Sequence, residues 1–176
     1  MQLKRKIEGR TNYRKRLRLL LSNKPRLVIR RSLNKIISQI IEYHPKGDRT
    51  LVSCSSNELM KYGWKGGLKN TPAAYLSGLL IGKKAVEKGI KEVTPDIGFH
   101  TPNKGSVIFA LLKGAKNSGL KIDINEAVLP SESRLSGQHI ADYSNINDKV
   151  FKSYRINPED LVKHFNEIKI NILGKK

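Results

Sequence analysis

Apolar positions along this chain keep two different rhythms. Between Leu27 and Cys54 they come as short β-branched runs; from Ala73 to Ala115 they recur every three or four residues. The first rhythm predicts strands. "RLVIRRS" (Arg26 to Ser32), "KIISQIIEY" (Lys35 to Tyr43) and "RTLVSCS" (Arg49 to Ser55) are separated by Ser32-Leu33-Asn34 and by "HPKGD", both turn signals. Short connections of this kind make an antiparallel meander. Ser56 to Asn70 reads as a loop with one helical turn.

The second rhythm predicts helices. Thr71 as cap and Pro72 at the first helical position open one that runs to about Lys88, where Gly89 stops it. Its line of small residues, Ala74, Gly78, Gly82 and Ala85, predicts close approach to a sheet. "EVTPDIGF", Glu92 to Phe99, reads as a fourth strand, parallel to its neighbour because a helix intervenes. Pro95 cannot donate to a ladder, which places this strand at an edge. Ser106 caps a second helix, Val107 to Ser118, with Ile108, Leu111, Leu112 and Ala115 inward and Gly119 as its end.

The two ends of the chain differ from this middle. Near the start, Thr11 or Asn12 caps a helix on which Tyr13, Leu17, Leu20 and Leu21 share one face. The expectation is that this stripe docks on protein while Arg14, Lys15, Arg16 and Arg18 face outward; Asn23 and Pro25 end the helix. Beyond Pro130 the chain turns polar, and the reading is an extended tail with one short helix from Pro158 to about Ile168, capped by Asn157. The expected organisation is therefore an arm (1–24), an α/β core (25–130) and a C-terminal extension (131–176). Arm and tail are expected to be largely disordered without a partner.

Charge sharpens this picture. The 176 residues carry 34 Lys+Arg against 15 Asp+Glu, a formal charge of +19, with 38% hydrophobic residues. The excess is concentrated: residues 1–31 hold 12 basic residues and a single acid, Glu8, whereas residues 95–149 hold six of each sign. A coat of solubilising charge is spread out; a basic arm on a nearly balanced body is the pattern of nucleic-acid-binding proteins. A lone cysteine, Cys54, excludes an intrachain disulfide and a multi-cysteine zinc site. No apolar run reaches the ~18 residues of a membrane span. "MQLKRKIEGR" has no apolar segment behind its charges, so no secretory signal is expected. A soluble protein of a reducing compartment fits these features.

A mixed sheet in the order β-β-β-α-β-α resembles ribonuclease H-like folds, whose phosphoryl-transfer members hold two cations on clustered carboxylates. Here the first strand carries Arg30 and Arg31 instead of an acid, the third has none, and Asp96 is alone on the fourth. The four histidines are far apart in sequence and read as hydrogen-bonding or surface groups. "TPNKGS" lacks the phosphate-loop pattern, but Lys104, the Gly105 backbone and the following helix N-terminus suit one RNA phosphate, or else an ordinary loop and cap. In "KYGWKGGLK", Tyr62 and Trp64 alternate with Lys61, Lys65 and Lys69. Either Trp64 stacks on an unpaired base while the lysines take phosphates, or it covers the core under a long loop.

Taken together, "RTNYRKRLRLL", "KPRLVIRRS", "KYGWK", "NTPAAYLSGLLIGKKA" and "KGSVIFALLKGA" closely resemble the large-subunit ribosomal protein family that binds 5S rRNA, number eighteen in universal numbering, in its archaeal form. The resemblance runs from about Arg10 to Tyr143. It implies a ribonuclease H-like core without catalysis or cofactor, seated in the central protuberance between 5S and large-subunit rRNA and beside other ribosomal proteins. The RNA contacts it implies are Arg10, Thr11, Asn12, Tyr13, Lys15, Arg16, Arg18, Lys24, Arg26, Arg30 and Arg31. Arg14 joins them from its place on the helix, and Trp64, Lys65, Lys69 and Lys104 are additions. Pro95, in a strand usually uninterrupted, and Glu8, in a short basic cluster, depart from the family pattern. The alternatives are a divergent metal-dependent nuclease on the same fold and a general nucleic-acid-compacting protein.

Overall fold

The computed structural model of the chain describes residues 4–9, 11–146 and 155–174. The strand rhythm holds: β1 is Arg26–Arg31, β2 Ile36–Glu42 and β3 Arg49–Ser55. The pairs β1–β2 and β2–β3 are antiparallel, with an irregularity between Ile40 and Ile41. A fourth strand, β4, pairs parallel with β1 in a sheet ordered β3-β2-β1-β4. It lies at the edge, as expected, but covers only Thr94–Asp96. Pro95 stands opposite Leu27 and has no N–H to extend the ladder.

The helices are α1 (Lys4–Ile7), α2 (Tyr13–Leu20), α3 (Thr71–Glu87), α4 (Val107–Asn117), α5 (Glu132–Ser136), α6 (Gln138–Ser144) and α7 (Leu161–Gly174). The expected turn after β3 is a 3₁₀ segment, Ser56–Tyr62, opened by a capping box between Ser55 and Glu58. One sheet face, with Leu27, Ile29, Ile36, Ile40, Val52 and Cys54, is buried in a single apolar cluster with α3. Every residue of α3 from Thr71 to Gly82 is buried, consistent with a helix that is apolar all round and packed on several sides.

Three local expectations need correction. The cap of α3 is Asn70, whose Oδ1 accepts from the Ala73 N–H, so Thr71 is already helical. Ser106 precedes α4, but its hydroxyl makes no capping bond. The small-residue line of α3 meets α4 rather than the sheet. A Cβ on Gly78 falls 2.0 Å from the Leu111 carbonyl oxygen, and one on Gly114 falls 2.2 Å from that of Tyr75.

The C-terminal segment is not an extended tail in its described part. Leu161, Phe165, Ile168 and Ile172 recur at helical spacing and are buried in the same cluster as the sheet. The helix continues past Ile168 to Gly174 because Ile172 still has core to cover. Phe165 packs tilted on Tyr75, with ring centroids 5.7 Å apart. Leu135 of α5 and Ile140 of α6, two helices the polar composition concealed, join the cluster. Each large apolar side chain buried this way contributes about 1.5–3 kcal/mol, as an upper bound, toward holding the segment on the core.

Candidate nucleic-acid interface

Helix α2 is capped by Asn12, whose Oδ1 accepts from the Lys15 N–H at 3.0 Å. Its apolar stripe turns inward only in part. Tyr13 and Leu20 are half-buried, whereas Leu17 is 64% exposed and Leu21 75% exposed. Lys15, Arg16 and Leu19, outside the stripe, are half-buried as well. Two of the cations assigned to RNA thus face protein. Lys15 Nζ donates to the Gly98 carbonyl at 2.8 Å, and Arg16 Nη2 donates to Asp48 Oδ1 at 2.8 Å.

Arg26 is the centre of this contact. The side chain starts β1, is 4% exposed as a residue, and forks between two acids: Nη2 on Asp48 Oδ2 at 2.7 Å and Nη1 on Asp96 Oδ2 at 2.8 Å. The remaining Asp96 oxygen accepts from the Gly98 N–H at 3.0 Å. Sheet topology is what assembles this group. Asp48 comes from the β2–β3 turn and Asp96 from the strand paired with β1. The sequence offered Asp48 only as part of a turn signal. All four oxygens of the two carboxylates are taken by guanidinium or backbone donors. Among the described residues no group of three or more His, Cys, Asp or Glu side chains is placed to hold a metal ion. The group is a structural knot that joins α2, β1, the β2–β3 turn and β4.

Other assigned residues divide in the same way. Lys24 Nζ pairs with Glu92 at 2.7 Å. Arg5 Nε donates to the Thr11 hydroxyl, so Thr11 and Asn12 both serve the arm's own fold. Trp64 is 3% exposed, stacks on His164 with centroids 5.3 Å apart, and donates Nε1–H to the Gly67 carbonyl. Of the two readings of Trp64, the core one is correct, and α7 supplies its partner. His164 Nε2 also accepts from the Lys65 N–H. At "TPNKGS" the Gly105 N–H is already given to the Val128 carbonyl, which removes it from the phosphate site suggested there.

The cations left over share a property. Arg14 and Arg18 on the outer face of α2, Arg30 and Arg31 at the end of β1, and Lys65 and Lys104 are exposed; Lys69 is half-buried. None of these side chains makes an ion pair among the described residues. Tyr13 is half-buried beside them, and Arg10 lies outside the described residues.

The model of the family described as ribosomal large subunit proteins 60S L5 and 50S L18 matches residues 1–95, which include the arm, the three-stranded meander, α3 and the start of β4. The chain belongs to that family. Membership makes it an RNA-binding structural component of the large subunit, acting in translation on the cytoplasmic ribosome. Separately, no described helix is long and apolar enough to cross a membrane.

Proposed function

We propose that this protein binds 5S rRNA and ties it to large-subunit rRNA in the central protuberance, next to neighbouring ribosomal proteins. The observation that carries the reading is the division of its cations. Those facing acids hold the arm on the sheet, and those without acids, Arg14, Arg18, Arg30, Arg31, Lys65, Lys69 and Lys104, are left for phosphates. The core is a ribonuclease H-like scaffold used without catalysis, a reading supported by the chain order β-β-β-α-β-α and by a parallel β4 on an antiparallel meander. In functional terms residues 1–24 are the arm, 25–130 the RNA-binding core, and 131–176 a C-terminal extension, whose described helices α5 and α7 pack against α3.

Phosphate contacts position such a protein, while specificity comes from RNA shape, 2′-OH groups and unpaired bases. Seven neutralised phosphates give a slope of log affinity against log salt of roughly −5 to −6. Filter binding with 5S rRNA, with tRNA of similar length and with duplex DNA is the test. Equal affinity for all three overturns 5S recognition and favours a general compacting protein.

A further inference from the structure

Between α2, β1 and the turn after β4 lies an open groove of about 620 Å³. Its floor includes the apolar side chains of Val28, Ile41 and Ile97, and its walls bring five cationic side chains against only two carboxylates. Arg30 lines it and makes no ion pair. Arg26 lines it too, and its buried Nε has no hydrogen-bond partner among the described residues. Two rings line the groove, the His100 imidazole and Phe99, a large apolar side chain that is nevertheless 63% exposed.

Phe99 is not on a loose loop. The turn that carries it is tied at several points. Asp96 accepts from the Gly98 N–H, Lys15 donates to the Gly98 carbonyl, and the His100 N–H donates to the Ile97 carbonyl at 3.1 Å. On the far side, the Arg31 N–H donates to His100 Nε2 at 3.4 Å. A held turn that presents an uncovered aromatic ring beside cations and over an apolar floor has the properties of a stacking platform. Base–aromatic stacking supplies the apolar contact, and a neighbouring cation takes the phosphate.

We infer that this groove receives a single unpaired nucleotide, its base stacked on Phe99 and its phosphate held by Arg30. The inference rests on the RNA-binding reading above and adds a base-contacting residue to it. The apolar floor and the excess of cations favour a nucleotide over an acidic peptide, whose carboxylates have no use for an aromatic face.

The experiment uses the full chain with two probes, 5S rRNA and an unstructured single-stranded RNA dodecamer. After irradiation at 254 nm and nuclease digestion, mass spectrometry is expected to find a nucleotide adduct on Phe99 with at least one probe. Phe99→Ala is expected to lower affinity for that probe roughly five- to a hundred-fold, and Phe99→Trp to restore it. Thermal melting of each variant guards against unfolding. Tight 5S binding with no adduct and an unchanged Phe99→Ala affinity overturns the groove and leaves 5S recognition standing. An adduct with the dodecamer but no preference for 5S rRNA supports the groove and overturns 5S recognition. No adduct with either probe overturns the groove.

Discussion

Arg16 of the arm helix and Arg26 of β1 share one carboxylate: Asp48 accepts from Nη2 of each, at 2.8 and 2.7 Å. The chain of contacts continues from Arg26 to Asp96, from Asp96 to the Gly98 N–H, and from the Gly98 carbonyl back to Lys15. It closes a ring that starts and ends on α2. The arm is therefore positioned by charge, with Arg14 and Arg18 on its exposed face.

Two classes of arm cation should separate in experiment. The double variant Arg14→Gln, Arg18→Gln is expected to weaken RNA binding and make the salt slope shallower by roughly 1.4–1.8, with stability unchanged to within about 0.5 kcal/mol. Arg16→Gln is expected to lower the melting temperature and leave the slope nearly as it was. Salt-titrated filter binding and thermal melting on the same samples read both.

Removing the centre of the ring should be costly. Arg26→Ala leaves Asp48 and Asp96 partly buried without their shared partner, and a loss of about 3–5 kcal/mol is expected in urea denaturation. A loss below about 1 kcal/mol would mean that water replaces the guanidinium.

Trp64 is the only tryptophan. Buried against His164, it should emit at short wavelength, and saturating RNA should leave its intensity unquenched. Trp64→Ala should cost about 3–5 kcal/mol through the cavity it leaves. Strong quenching on RNA addition would restore the base-stacking role.

The α3–α4 contact has no room at its glycines. Gly78→Ala drives a methyl group into the Leu111 backbone and is expected to destabilise by about 1–3 kcal/mol, whereas Gly89→Ala meets open space and suffers only from its positive φ of +77°. Equal melting temperatures for wild type and Gly78→Ala would refute the close packing.

A pH effect follows from Glu58 and Lys84, an ion pair beside the buried Cys54. Burial works to raise the Glu58 pKa, but hydrogen bonds from Lys84 and the Ser55 N–H, with the charges of Lys84 and Lys61, outweigh it and hold it below the ordinary carboxylate range. A lowered folded pKa means stabilisation that is present above the unfolded value and is lost as pH falls through the folded one. Melting temperature should drop on acidification below about pH 4.3, and less steeply in Glu58→Gln. Burial first, then Glu58, pushes the Cys54 thiol up to about 12, so a thiol reagent at pH 8 should label it only after unfolding.

Much of this protein was legible because local rules agreed. The β-branched runs around Ile29, Ile40 and Val52 could only be strands, and Asn70-Thr71-Pro72 could only open a helix, whichever residue capped it. The arm's orientation was not legible. Periodicity marks an apolar stripe at Leu17 and Leu21, and a stripe ordinarily turns inward. Here the acceptors that draw the opposite face inward, the Asp48 carboxylate and the Gly98 carbonyl, come from sites 32 and 83 residues away. Spacing within α2 holds no trace of them. The α7 signal was present in Leu161, Phe165, Ile168 and Ile172, but polar neighbours and the missing view of Tyr75 and Trp64 hid what the face covers.

By itself the sequence determined the strands, the two main helices, the concentration of positive charge near the start and the family. Local propensity, periodicity and charge count depend on neighbours along the chain. Only the tertiary structure decided which cations are spent. Whether Lys15, Arg16, Lys24 and Arg26 meet RNA or protein acceptors depends on where Asp48, Glu92, Asp96 and Gly98 arrive, and the parallel pairing of β4 with β1 brings three of these four beside them.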